Sequence, residues 1–258
     1  MTSSNGKNTV LFIEPRRILY VCNVLTRAIN ILTDKWNYVY YCGKDDKSYW
    51  KNILHPIIEI RELNVNNLNT DEYSIFLKST QLWLALSGEY VLTLQLDAWI
   101  VSCPPFTIDY FLNLNKSYIG GNSIYIWNDW EIHGVQTPSI RNFNGGLSLR
   151  KRKDMIRIIE TFPLYDNNPP LPCQQTNYPE DVYFTIGGYL LNMNMGDDEK
   201  SSYFAIHTIY KGACFGMHKI HRHDNFDDVP QLVSIQYPRL KFINPYLSHA
   251  YNHLIKNG

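Results

Sequence analysis

Three carboxylates and one pair of glycines are the residues of this chain best suited to chemistry. Asp97 follows the apolar run Val91-Leu92-Thr93-Leu94-Gln95-Leu96, Glu180-Asp181 stand just ahead of Val182-Tyr183-Phe184, and Asn144-Gly145-Gly146 lies between them in Asn142-Phe143-Asn144-Gly145-Gly146-Leu147-Ser148-Leu149-Arg150. A carboxylate just beyond a strand can hold a divalent cation against the diphosphate of a nucleotide, or it can cap the next turn. Asp181 has the chemistry of a general base that takes the proton of an acceptor hydroxyl. Near a helix N-terminus, however, either acid also serves as a cap favoured by the dipole. Two glycines let a ligand approach the backbone, where their N–H groups and the Asn144 amide suit sugar hydroxyls or phosphate oxygens; a plain Gly-Gly turn would look the same.

Cationic and histidine candidates complete the set. Arg150 opens the basic stretch Arg150-Lys151-Arg152-Lys153. It reads either as a bidentate phosphate partner or as part of a solvated helix start. Arg16 follows the first apolar run. His218, His221 and His223 are close enough to ligate a metal, although their spacing fits no zinc template. His207, inside Phe204-Ala205-Ile206-His207, reads as a structural histidine.

Elements of a parallel sheet must position these residues. Val10-Leu11-Phe12-Ile13, stopped by Pro15, predicts a buried strand. Ile18, Cys22, Leu25, Ile29 and Leu32 recur at helical spacing and predict one face of the helix that follows. Tyr38-Val39-Tyr40-Tyr41-Cys42 and residues 57–60 predict two further strands, so the chain opens as strand, helix, strand. Asp71 is a candidate cap for a helix carrying Tyr73, Phe76, Leu77, Leu82, Trp83 and Leu86, ended by Gly88. Residues 91–96 form the strongest strand, with Asp97 in the region where open α/β sheets gather ligands. Beyond it the chain reads as irregular and aromatic, through Trp127-Asn128-Asp129-Trp130. Later segments predict a helix over 151–162, a Pro-rich loop over 166–178, a helix from Val182 and a solvated turn at 196–200.

Composition narrows the class. The chain has 258 residues, with 24 basic and 24 acidic side chains for a net charge of zero, so it offers no electrostatic case for nucleic acid or an anionic membrane. It is 45% hydrophobic and only 19% charged, too apolar for a disordered chain. The five scattered cysteines form no Cys-x-x-Cys pair and point to a reducing compartment. No secretory leader and no membrane-length apolar run is evident, so a soluble, cytoplasmic protein is expected. The predicted organisation is a flexible segment over residues 1–8 and one domain over 9–258.

Taken in order, Gln95-Leu96-Asp97, Tyr118-Ile119-Gly120, residues 144–150, residues 180–184 and His218-Lys219 resemble the elements of GT-A glycosyltransferases. The sequence is most similar to a little-characterised family of such enzymes found in giant DNA viruses and some microbes. The resemblance implies a single α/β domain of GT-A type, with a Rossmann-like, predominantly parallel central sheet flanked by helices. It implies transfer of a sugar from a nucleoside-diphosphate donor, expected to be a UDP-sugar, to a hydroxyl of a glycan, protein or small molecule. Asp97 and His218 would hold Mn²⁺ or Mg²⁺, and Arg16, Gln95, Asp97, Asn144, Gly145, Gly146 and Arg150 would line the donor site. Asp181 would be the base and Glu180 an acceptor contact, with inversion favoured. A viral member would work in host cytoplasm or the virion.

The sequence departs from the family at the metal motif. Most GT-A enzymes carry two acids separated by one residue, whereas Asp97 has Gln95 and Trp99 at that spacing. That departure motivates a second reading, a catalytically silent nucleotide- or sugar-binding protein of the same fold. A metal-dependent phosphoesterase built on Asp97 and the histidines is a third.

Overall fold

A computed structural model describes residues 6–122, 144–207, 209, 211 and 213–218. The chain begins with β1 (Thr9–Ile13), α1 (Tyr20–Leu32), β2 (Asn37–Cys42), α2 (Lys47–Ile53) and β3 (Ile58–Glu62). It continues through α3 (Thr70–Leu77), α4 (Thr80–Leu84), β4 (Tyr90–Leu94), β5 (Ala98–Ile100), α5 (Ile108–Asn113) and β6 (Tyr118–Gly120). After the next described residues come β7 (Leu147–Lys151), α6 (Arg152–Thr161), α7 (Glu180–Leu190), α8 (Asp198–Phe204), β8 (Ala205–Ile206) and β9 (Gly216–His218). Six strands form the main sheet in the order β3-β2-β1-β4-β7-β6, and β5-β9-β8 form a small second one.

The main sheet is mostly parallel, as expected, with one reversal. β3, β2, β1 and β4 are parallel neighbours, whereas β7 runs antiparallel to both β4 and β6. β1 sits between β2 and β4, so the chain first builds outward on one side of β1 and then crosses to the other. The crevice outside the carboxyl ends of β1 and β4 is therefore the topological switch point, where ligands bind in open α/β sheets. Phe12 is level with Leu94, and Leu94 is level with Leu147.

Alternation along β1 shows how both faces are covered. Val10 and Phe12 enter a core beneath α1, α2 and α5, while Leu11 and Ile13 enter a second core beneath α3, α4, α6 and α7. All four are buried, at about 1.5–3 kcal/mol for a large apolar side chain. This double burial is why the strand reads as a continuous apolar run.

Several expected elements are displaced. α1 buries Tyr20, Val21, Val24, Leu25, Ala28 and Leu32, whereas Ile18, Cys22 and Ile29 pack on its flank. Leu25 and Leu32 of the expected face are in the core, and the buried face extends from them toward Val21, Val24 and Ala28. The helix predicted from Asp71 is two helices, capped by Asn69 rather than Asp71. Asn69 Oδ1 accepts from Glu72 N–H at 2.9 Å and Glu72 Oε2 from Asn69 N–H at 2.8 Å. The segment after Asp97 is not irregular, since it contains β5, α5 and β6. Asp197, placed in a solvated turn, instead caps α8 by accepting from Lys200 N–H at 2.8 Å. Asn8 is tied down, its Oδ1 accepting from the N–H groups of Glu89 and Tyr90. Residues 127–130, His221 and His223 lie outside the described residues. Among the described residues no helix is long and apolar enough to cross a membrane.

Candidate functional site

β4 leads straight into the site. Gln95 N–H donates to Gly146 O at 2.8 Å, extending the β4–β7 ladder one step past Leu94. The chain then turns through Leu96, and Ala98 N–H bonds back to Gln95 O at 3.1 Å. Asp97 sits in this turn, partly exposed. The small sheet brings His218 to it: β5 pairs with β9 so that Ala98 lies opposite His218. His218 Nε2 stands 3.0 Å from Asp97 Oδ1 and 3.1 Å from Gln95 Oε1, with the imidazole 1% exposed. The ring of His207 stacks on it at 5.5 Å between centroids.

The two glycines divide this cluster from a second one. A Cβ on Gly146 would meet His218 Nε2 at 2.1 Å, whereas a Cβ on Gly145 would meet Glu180 Oε1 at 2.2 Å. Both glycines are required for close approach, but their backbone donors are already engaged. Gly146 N–H donates to Asn144 Oδ1 at 3.1 Å, and Gly145 N–H to Asp181 Oδ2 at 3.2 Å. These amides and the Asn144 carbonyl brace the turn and the acid.

Arg150 departs furthest from expectation. It belongs to β7 rather than to a solvated helix start, and its side chain is fully buried. Its Nη1 and Nη2 reach Glu180 Oε2 and Oε1 at 2.6 and 3.2 Å, its Nε reaches Ser148 Oγ at 2.8 Å, and Nη2 also reaches Gly145 O at 3.3 Å. The guanidinium lies 4.9 Å from the Tyr118 ring centre and 5.4 Å from that of Phe184. Burial alone would press the proton off Arg150, and the Glu180 carboxylate outweighs it. These contacts engage its donors inside the protein, away from any phosphate. Glu180 is correspondingly the counterion of Arg150.

Asp181 stands beside this pair in the first turn of α7. Burial, then the neighbouring Glu180 charge, push its carboxyl up to about 7. The Val182 and Gly145 N–H groups and Arg150 oppose that rise without cancelling it. A carboxyl that titrates near neutrality is matched to general acid–base work.

Two groups of the site went unnoticed in the sequence. Tyr73, read only as part of an apolar helix face, has its hydroxyl beside Gln95 and within electrostatic range of Glu180, Arg150 and Asp97. Lys78 is 2% exposed, and its Nζ donates to the carbonyls of Gln175, Thr176 and Tyr178 at 3.3, 2.8 and 2.7 Å. It thereby fastens the Pro-rich loop that enters α7. Arg16 lies at the exit of β1 with Nε and Nη2 each 2.7 Å from a Glu14 oxygen, and its side chain is 54% exposed.

The arrangement is compatible with a divalent cation. Cis ligands about 2.1 Å from an octahedral ion stand about 3 Å apart, the separation of Asp97 Oδ1 and His218 Nε2. No cluster of three His, Cys, Asp or Glu ligands occurs among the described residues. A protein carboxylate and imidazole completed by ligand phosphate and water is an ordinary donor set for Mn²⁺ or Mg²⁺.

Fold and site together define a layered α/β protein with a polar crevice at its topological switch point. Residues 57–219 match a family described as "Protein of unknown function (DUF5672)". The match takes in more than half of the chain, and the protein belongs to this family. It includes every candidate site residue except Arg16, His221 and His223, and ends one residue after His218. No curated protein matches the chain.

Proposed function

We propose that this protein is a GT-A-type glycosyltransferase that moves a sugar from a nucleoside-diphosphate sugar, expected to be a UDP-sugar, to an acceptor hydroxyl. The observation that carries this reading is the two-part crevice. The Asp97–His218 pair lies on one side of Gly145-Gly146, and a carboxyl that titrates near neutrality lies on the other. Asp97 and His218 would hold the divalent ion, which would neutralise charge on the departing diphosphate. Asp181 takes the proton of the acceptor hydroxyl as that oxygen attacks the anomeric carbon, favouring inversion. Arg150 and Glu180 hold the wall behind the acid, and Arg16, exposed at the exit of β1, is available to the nucleotide.

Thermal melting against a panel of nucleoside diphosphates and their sugars with Mn²⁺ tests this directly. Binding to the folded state raises the midpoint in proportion to the logarithm of ligand concentration over Kd. Asp97→Ala abolishes the shift, whereas Asp181→Ala keeps it and loses sugar transfer. Absence of any shift across the panel would falsify the reading. The binding-only alternative draws on Glu180 being committed to Arg150, which leaves Asp181 as the single acid of its pair for chemistry. Donor binding without transfer or donor cleavage in the wild-type protein would favour that alternative.

A further inference from the structure

Tyr73 reaches the crevice from α3, a helix otherwise engaged in the core beneath the sheet. Its hydroxyl is buried and makes no hydrogen bond of ordinary geometry among the described residues. Gln95 lies beside it, and Glu180, Arg150 and Asp97 are near enough to act on its proton. The hydroxyl therefore stands where the two halves of the site meet. Arg150 is spent on Glu180, Ser148 and Gly145, and Gln95 Oε1 faces His218 Nε2. A buried hydroxyl without a well-formed hydrogen bond costs about 1–3 kcal/mol, and a ligand hydroxyl placed here would recover that cost.

The partner's charge follows from the surroundings. On the reading above the diphosphate belongs to the ion that Asp97 and His218 would hold, which leaves the Tyr73 hydroxyl, on the Glu180 side, to an uncharged part of the ligand. A neutral hydroxyl both donates and accepts. Burial and then the Glu180 charge keep the phenol protonated at any physiological pH, so it is always able to donate. We infer that Tyr73 is a ligand-binding residue whose hydroxyl hydrogen-bonds a neutral hydroxyl on the sugar of the bound nucleotide sugar. This rests on the transferase reading above, and it assigns recognition of the sugar, as distinct from the nucleotide, to α3.

Tyr73→Phe removes one oxygen and keeps the ring, and its melting curve establishes that the fold is intact. Calorimetry with Mn²⁺ then compares UDP with UDP-glucose, UDP-galactose and UDP-N-acetylglucosamine on both proteins. The expected result is a loss of about two- to tenfold in affinity for the preferred UDP-sugar, the size of one neutral hydrogen bond, with affinity for UDP unchanged. Equal affinity of variant and wild type for the UDP-sugar overturns the inference, and so does an equal loss for UDP and UDP-sugar. If the wild type binds neither UDP nor any of the sugars, the transferase reading itself fails and takes this inference with it. The two failures are distinguishable because only the second appears before any substitution is made.

Discussion

Gly146 and His218 are packed so closely that a Cβ on the glycine would stand 2.1 Å from Nε2 of the histidine. The obstructing atoms belong to a buried ring held at Asp97, so they cannot swing aside as the end of a flexible side chain would. Gly146→Ala is expected to cost about 1–3 kcal/mol, in the range of overpacked cores, and to lower the melting midpoint by several degrees. Adding His218→Ala should recover part of that loss. Strict additivity of the two changes would mean that the glycine is not needed for the histidine.

Arg150 and Glu180 form a buried bidentate pair, and removal of one partner strands the other charge. Arg150→Met is expected to cost about 3–5 kcal/mol in chemical denaturation. Replacing both residues with leucine leaves no orphaned charge and should lie much closer to the wild type. A single replacement within 1 kcal/mol of wild type would show that the pair is solvated.

Asp181 gives a pH signature of defined sign. Its carboxyl holds a proton up to about pH 7 in the folded protein, against an ordinary value of 3.8. Between those limits the folded state binds more protons than the unfolded chain, so stability falls as pH rises. This contribution is complete below pH 3.8 and gone above about 7. The stability difference between wild type and Asp181→Asn should therefore shrink as pH rises from 4 to 7, in urea titrations at each pH. A difference that grows over this range would reverse the assignment.

Lys78 gives the opposite slope in a different window. Burial, partly offset by Glu180, Cys173 and Asp71, lowers it from 10.5 to about 8. From pH 8 to 10.5 the unfolded chain binds the extra proton, so the contribution of Lys78 to stability improves as pH rises. Subtracting the curve of Lys78→Met removes the tyrosines and cysteines that titrate nearby. The same variant loses three bonds to the loop ahead of α7, and amide exchange over residues 175–182 should quicken at pH 7. Unchanged exchange there would separate Lys78 from the placing of Asp181.

The parts of the fold that were legible in the sequence are those whose signal is local. Residues 10–13 and 91–94 announced themselves because strands buried on both faces are continuously apolar, and Asp97 lies in the turn just beyond the second of them. Glu180 and Asp181 fell in a first helical turn, as their position before the run from Val182 suggested. The misplaced features depend on partners remote in sequence. Nothing around Arg150 records that Glu180 will neutralise it, so four consecutive cations looked like a solvated helix start. The two-strand partnership of β5 with β9 brings His218 to Asp97, yet each strand is only three residues long and carries no periodic pattern. Tyr73 was hidden for another reason: on an apolar helix face its ring is all that the pattern registers.

The reversed direction of β7 has an architectural consequence. β1 and β4 leave the sheet at the crevice, but β7 enters there, so Asn144, Gly145 and Gly146 are an approach to a strand and the chain departs from β7 at the far edge, into α6. The route to the crevice through residues 144–146 therefore lies at the opposite end of β7 from the β7–α6 corner, and the two are separated by the length of the strand.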